Sequence, residues 1–118
     1  MGVYNKKTYM KITLHDLPKI SLNEWYSGVH WTKRKAIKDK YYWLIKKQFK
    51  DVLSKDKTYK VSYSFYFRLK PLDASNCIAM VKMIEDIIFE DDTYKIIEQI
   101  TISSQKGSSD VVYIEIIF

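Results

Sequence analysis

Tyr59-Lys60-Val61-Ser62-Tyr63-Ser64-Phe65-Tyr66-Phe67-Arg68-Leu69 alternates bulky apolar residues with Lys, Ser, Tyr and Arg. A strand points successive side chains to opposite faces, so this is the pattern of a long strand with one face buried. Pro71 ends it, because proline has no N–H to give to a sheet ladder. Beyond Pro71 the period changes. Cys77, Val81, Ile84 and Ile88 recur at helical spacing, which predicts a helix from about Ser75 to Ile88 with Asp73 or Ser75 as its cap. A strand passing directly into an amphipathic helix makes this a mixed α/β chain.

Working upstream, residues 31–53 contain neither Gly nor Pro and carry Ile37, Tyr41, Leu44, Ile45 and Val52 at helical spacings. A helix from about Trp31 to about Leu53 follows. Pro18 to Gly28 reads as a loop, and Thr8 to Leu14, with Met10, Ile12 and Leu14 alternating, as a first strand. Downstream, Ile96–Ile102 and Val111–Phe118 read as strands joined by the turn-rich Gln105-Lys106-Gly107-Ser108-Ser109. The expected architecture is α+β: one domain over residues 1–118, with a mixed four-stranded sheet in β-α-β-α-β-β order and two helices covering a face.

Composition bounds the function. A net charge of +6 in 118 residues points to an anionic partner, nucleic acid before a membrane surface. No apolar run is long enough to span a bilayer, and the first residues lack a secretory pattern. Met1-Gly2 begins like a myristoylation start, but Lys6 stands where that motif wants Ser or Thr. A cytoplasmic setting is expected. The single cysteine, Cys77, excludes an internal disulfide and is expected to be buried and inert, and His15 and His30 are too isolated for a zinc site.

Against this basic background, five of the fourteen acids fall between Glu85 and Asp92. On the expected helix Ser75, Ala79, Lys82 and Asp86 fall within about 60° of one another, opposite the apolar stripe. Ala79 would leave room beside Lys82. Carboxylates gathered around a lysine fit a divalent cation working against a phosphodiester, because Mg²⁺ activates water and offsets phosphate charge. Each residue also has a plainer use. Asp73 reads equally as a helix cap, Asp91-Asp92 as a solvated turn, and Lys82 with Asp86 as an i,i+4 surface pair.

Asp73-Ala74-Ser75-Asn76, a lysine and an aspartate on the next helix, and Asp91-Asp92 together resemble the RusA-type Holliday junction resolvases of phages and prophages. Ser21-Leu22-Asn23 followed by His30-Trp31 and Lys33-Arg34 resembles that family's N-terminal signature, and Ser104-Gln105-Lys106-Gly107 its final hairpin. The likeness extends from about Ile20 to Phe118. It implies a homodimeric mixed α/β endodeoxyribonuclease that cuts four-way DNA junctions with Mg²⁺, or Mn²⁺ as a substitute, and uses no small-molecule substrate. Carried over by position, Asp73, Asp91 and Asp92 are implied catalytic and metal-binding residues, Asp86 a further metal ligand and Lys82 a catalytic lysine. Asn23, His30, Lys33, Arg34, Lys35 and Asn76 are expected at the DNA. Trp25, Tyr26 and Trp31 are candidates for stacking on unpaired bases or for core and dimer contacts. Two departures stand out: Ser75 occupies the place of the family's second aspartate, and Lys82 sits three residues later than the family lysine, where this chain has Ala79. The rival expectation is a non-catalytic binder of DNA structure that lost activity with that aspartate. An RNA-binding basic domain is a third.

Overall fold

The computed structural model describes residues 8–27 and 30–118. The Met1-Gly2 start and Gly28, the end of the expected loop, lie outside them. Strands β1 (Tyr9–His15), β2 (Tyr59–Phe67), β3 (Ile97–Lys106) and β4 (Val111–Ile117) form one sheet in the order β1-β4-β2-β3. β4 runs antiparallel to β1 and β2, and β3 is parallel to β2, so the sheet is mixed as expected. Helices α2 (Trp31–Gln48) and α3 (Ile78–Ile88) pack on one sheet face, with the short α1 (Leu22–Tyr26) beside them.

β2 is the spine of this core. Tyr59, Val61, Tyr63, Phe65 and Phe67 are all buried, while the residues between them are not. Ile12 and Leu14 of β1 and Val112, Ile114 and Ile116 of β4 continue the same apolar layer. The strict alternation fixes register, since a slip of one residue would turn every one of these side chains to solvent.

Four expectations are corrected. The stretch read as a loop from Pro18 contains α1, closed by a capping box: Ser21 Oγ accepts from the Glu24 N–H at 3.0 Å, and Glu24 Oε1 accepts from the Ser21 N–H at 3.2 Å. α2 ends at Gln48, not near Leu53. Past that point Leu53 is the buried residue and Val52 is exposed, because the chain has left the helix and forms a parallel bridge between Leu53 and Phe89. A 3-10 turn over Ala74–Cys77 precedes α3, and Asp73 accepts no capping bond through its side chain. The Asn76 N–H goes to the Asp73 backbone carbonyl instead, at 2.9 Å.

The last correction concerns β3 and β4. They are not a hairpin, since β2 lies between them, and β3 runs on through Gln105 and Lys106, which were read as turn. The connection crosses the end of β2. Gly107 donates to the Phe67 carbonyl at 2.9 Å, and a Cβ added there would lie 2.9 Å from Tyr66 Cβ, so only glycine passes so close.

Candidate functional site

α3 is apolar on nearly every side. Ala79, Met80, Val81, Met83, Ile84 and Ile88 are buried between the sheet and the other two helices. Ala79 therefore opens no space beside Lys82, contrary to the helix-wheel expectation. That wheel allowed for one covering layer, whereas α3 is covered by the sheet on one side and by α1 and α2 on others. What α3 leaves to solvent is a narrow edge carrying Lys82 and Asp86.

Charges meet along that edge. Lys82 Nζ lies 3.2 Å from Asp92 Oδ2 and 4.0 Å from Glu85 Oε1. Glu85 is buried at 4% exposure, and its other oxygen accepts from the Tyr63 hydroxyl at 3.1 Å. Strand β2 thus supports the corner from beneath. Asp92 is brought back over α3 because the exit of the helix is pinned: Leu53 donates to the Ile88 carbonyl at 2.7 Å, Glu90 donates to the Leu53 carbonyl at 2.9 Å, and the Lys55 N–H bonds to Glu90 Oε2 at 2.9 Å.

Proton affinities reflect this crowding. Burial pushes the Glu85 carboxyl up, while the Tyr63 hydrogen bond and the Lys82 charge oppose it. Burial also raises Asp86, reinforced by the charge of Asp92 and a hydrogen bond to it, and opposed by Lys82 and Lys38. Burial pulls Lys82 down, but its hydrogen bond to Asp92 and the surrounding carboxylates outweigh that and leave it raised. Burial, with Glu85 next, holds the Tyr63 phenol well above its ordinary value.

Of the residues singled out from sequence, the fold brings Lys82, Asp86 and Asp92 together. Asp91 adjoins them in sequence, but its Oδ1 accepts from the Thr93 N–H at 3.1 Å. Asp73 and Asn76 line another hollow, of ≈ 420 Å³, shared with Lys19, Ser21, Glu24 and Lys70. Among the described residues no three His, Cys, Asp or Glu side chains are arranged to hold a metal ion. Cys77 is fully buried, and burial, ahead of a lowering bond from Ser104 and the Asp73 charge, raises its thiol.

The DNA-facing candidates divide likewise. Asn23, His30, Lys33 and Lys35 are exposed. His30 caps α2, accepting from the Thr32 N–H, and Lys35 pairs with Asp39 at 3.0 Å. Arg34 is turned inward, donating to the Trp25 carbonyl and stacking over that indole at 5.3 Å, so Trp25 packs against the protein and is not presented as a free ring. Tyr26 and Trp31 are open to solvent.

Sequence reading missed Glu85, Tyr63 and Lys38. The spacing Lys82 to Glu85 was a visible i,i+3 pair, and a tyrosine on the buried face of a strand always needs a partner for its hydroxyl. Lys38 had no such signal, because its nearness to Asp86 depends on how α2 packs on α3. Among the described residues no helix is long and apolar enough to cross a membrane. No family model matches the chain, and no curated protein matches it.

Proposed function

We propose that this chain is a metal-dependent endodeoxyribonuclease that acts on branched DNA, working as a two-fold dimer of RusA-like domains. The observation that supports it most is the Asp92 carboxylate held 3.2 Å from the Lys82 ammonium, with Asp86 one helical turn from Lys82 and within reach of the Asp92 charge, in a protein of net charge +6. The charge of Asp92 helps to raise the proton affinity of Asp86, and a divalent cation relieves that repulsion. Mg²⁺ keeps several waters and commonly takes one or two carboxylates together with substrate phosphate, so Asp86 and Asp92 fit it without a third protein ligand. Bound there, the ion would supply an activated water and offset charge on the phosphate.

The remaining roles fall to the chain's own groups. Lys82 gives a fixed positive charge to a phosphate oxygen. Glu85, held by the Tyr63 hydroxyl, keeps the Lys82 ammonium at the corner from below. Asp86 takes the part that Ser75 does not. Asp73 and Asn76, together with Lys19 and Lys70, border the neighbouring hollow as a contact for the DNA path, with Asn23, His30, Lys33 and Lys35 as further backbone contacts. Paired incision across a two-fold junction needs two sites related by a two-fold axis, which is the reason for the dimer.

The test is a synthetic four-way junction incubated with the protein, with and without Mg²⁺ or Mn²⁺, at matched salt. Paired nicks that require metal are expected, and Asp92→Asn and Asp86→Asn should each abolish them while junction binding persists. Full metal-dependent cutting by both variants overturns the assignment. Gel retardation by the parent protein without nicking, under every metal condition, replaces it with a non-catalytic binder of DNA structure.

A further inference from the structure

The outward side of α2 has no role in the acidic corner. Tyr41 and Ile45 turn into the core, and Trp43, on the opposite side, is 70% exposed. Its ring is met edge-on by Tyr42 at 5.5 Å, which leaves a large aromatic surface in water. Lys33, Lys40 and Lys47 recur every seven residues along one flank, within about 80° of Trp43. Among the described residues none of these three lysines takes part in an ion pair, and the one acid of the helix, Asp39, is engaged by Lys35.

Charge complementarity selects the occupant. A second copy would bring the same row of cations and be repelled. A membrane surface would want a broad apolar stripe, but the helical neighbours of Trp43 are Asp39, Lys40, Lys46 and Lys47, while Ile37 and Leu44 turn inward. A polyanion that also offers a flat π-face meets both features. At 1.5 Å per residue the lysine row spans about 21 Å, comparable to roughly six stacked nucleotides at about 3.4 Å each.

We propose that the outer face of α2 is a contact surface for single-stranded DNA, with Lys33, Lys40 and Lys47 taking phosphates about three nucleotides apart and Trp43 stacking on an unpaired base. It lies about 140° around α2 from Lys38, the residue of that helix that faces Asp86. The surface is therefore separate from the acidic corner and does not rest on hydrolysis there.

Anisotropy of a labelled oligothymidylate of about twelve nucleotides, titrated with the full chain in chelator-containing buffer, tests this apart from any metal chemistry. Trp43→Ala should weaken binding by about 5- to 150-fold, the range of one base–aromatic stack, with Trp43→Phe recovering most of the loss. Lys40→Gln with Lys47→Gln should reduce the slope of log affinity against log salt by about 1.4, at about 0.7 per phosphate contact. Unchanged affinity in Trp43→Ala, or an unchanged slope in the double lysine variant, overturns the proposal. So does tighter binding to the matching oligouridylate, or to anionic phosphatidylserine vesicles with a blue shift of tryptophan emission that Trp43→Phe removes. Junction cutting plays no part in these outcomes, so the two proposals fail independently.

Discussion

α2 and α3 cover the same face of one sheet, yet α3 buries seven of its eleven residues and α2 only two of eighteen. The difference decides what each helix can do with its polar side chains. On α3 a charged group has few ways to leave, so Glu85 is held under Lys82 by Tyr63, and Asp92 is returned to the same point by the pinned helix exit. That is the preorganisation the proposed phosphate chemistry would require. On α2 Lys33, Lys40 and Lys47 make no ion pair among the described residues and stand on long stems over a thin buried stripe. Such groups suit contact with a flexible polyanion, where position matters less than charge.

The sharpest way to break this contrast is through the core. Ile84→Ala on α3 removes a fully buried side chain and should cost about 2–5 kcal/mol, read as a lowered urea midpoint at unchanged slope. A loss below about 1 kcal/mol would mean that α3 is not the clamped element described above.

A smaller effect is expected at Glu85, and its sign is fixed by burial. A carboxyl whose affinity for protons is raised on folding binds more protons in the folded chain than in the unfolded one. Its contribution to stability therefore falls as pH rises from the ordinary value of about 4.3 through the raised one. Glu85→Gln removes that titration and keeps an oxygen to accept the Tyr63 hydroxyl. The unfolding midpoint of the variant relative to the parent should thus improve as pH rises from the ordinary carboxyl value through the raised one. A gap that stays constant with pH would show that Glu85 does not feel its burial.

The smallest effect is expected on α2. Trp43→Ala should change stability by no more than about 0.5 kcal/mol while weakening binding of single strands, because its ring makes no core contact. Destabilisation comparable to Ile84→Ala would erase the contrast between the two helices.

Several features were legible in particular residues. The alternation from Tyr59 to Leu69 predicted the start of β2 and its buried face, since a period of two on a half-buried surface has few other readings, but the strand ends at Phe67 and Leu69 is exposed. The capping box Ser21-x-x-Glu24 was also written in the chain but was passed over beside Pro18, and with it α1. The end of α2 was less legible. Residues 49–53 contain no helix breaker, and the chain leaves the helix there to pair Leu53 with Phe89, a contact between positions far apart in sequence.

The candidate site divides in the same way. Local spacing joined Lys82 to Asp86 and offered Glu85 as well, though it was missed, because three or four residues make one helical turn whatever surrounds it. Sequence alone also determined the basic charge, the strand pattern and the αβ alternation, all properties of residue type and short-range periodicity. Tertiary structure alone decided that Asp92 folds back to Lys82, that Tyr63 reaches Glu85, that Asp73 faces a different hollow, and that β2 lies between β3 and β4. Each of these is a contact between distant segments. It is selected by how the apolar faces of the whole chain pack together, which no local pattern encodes.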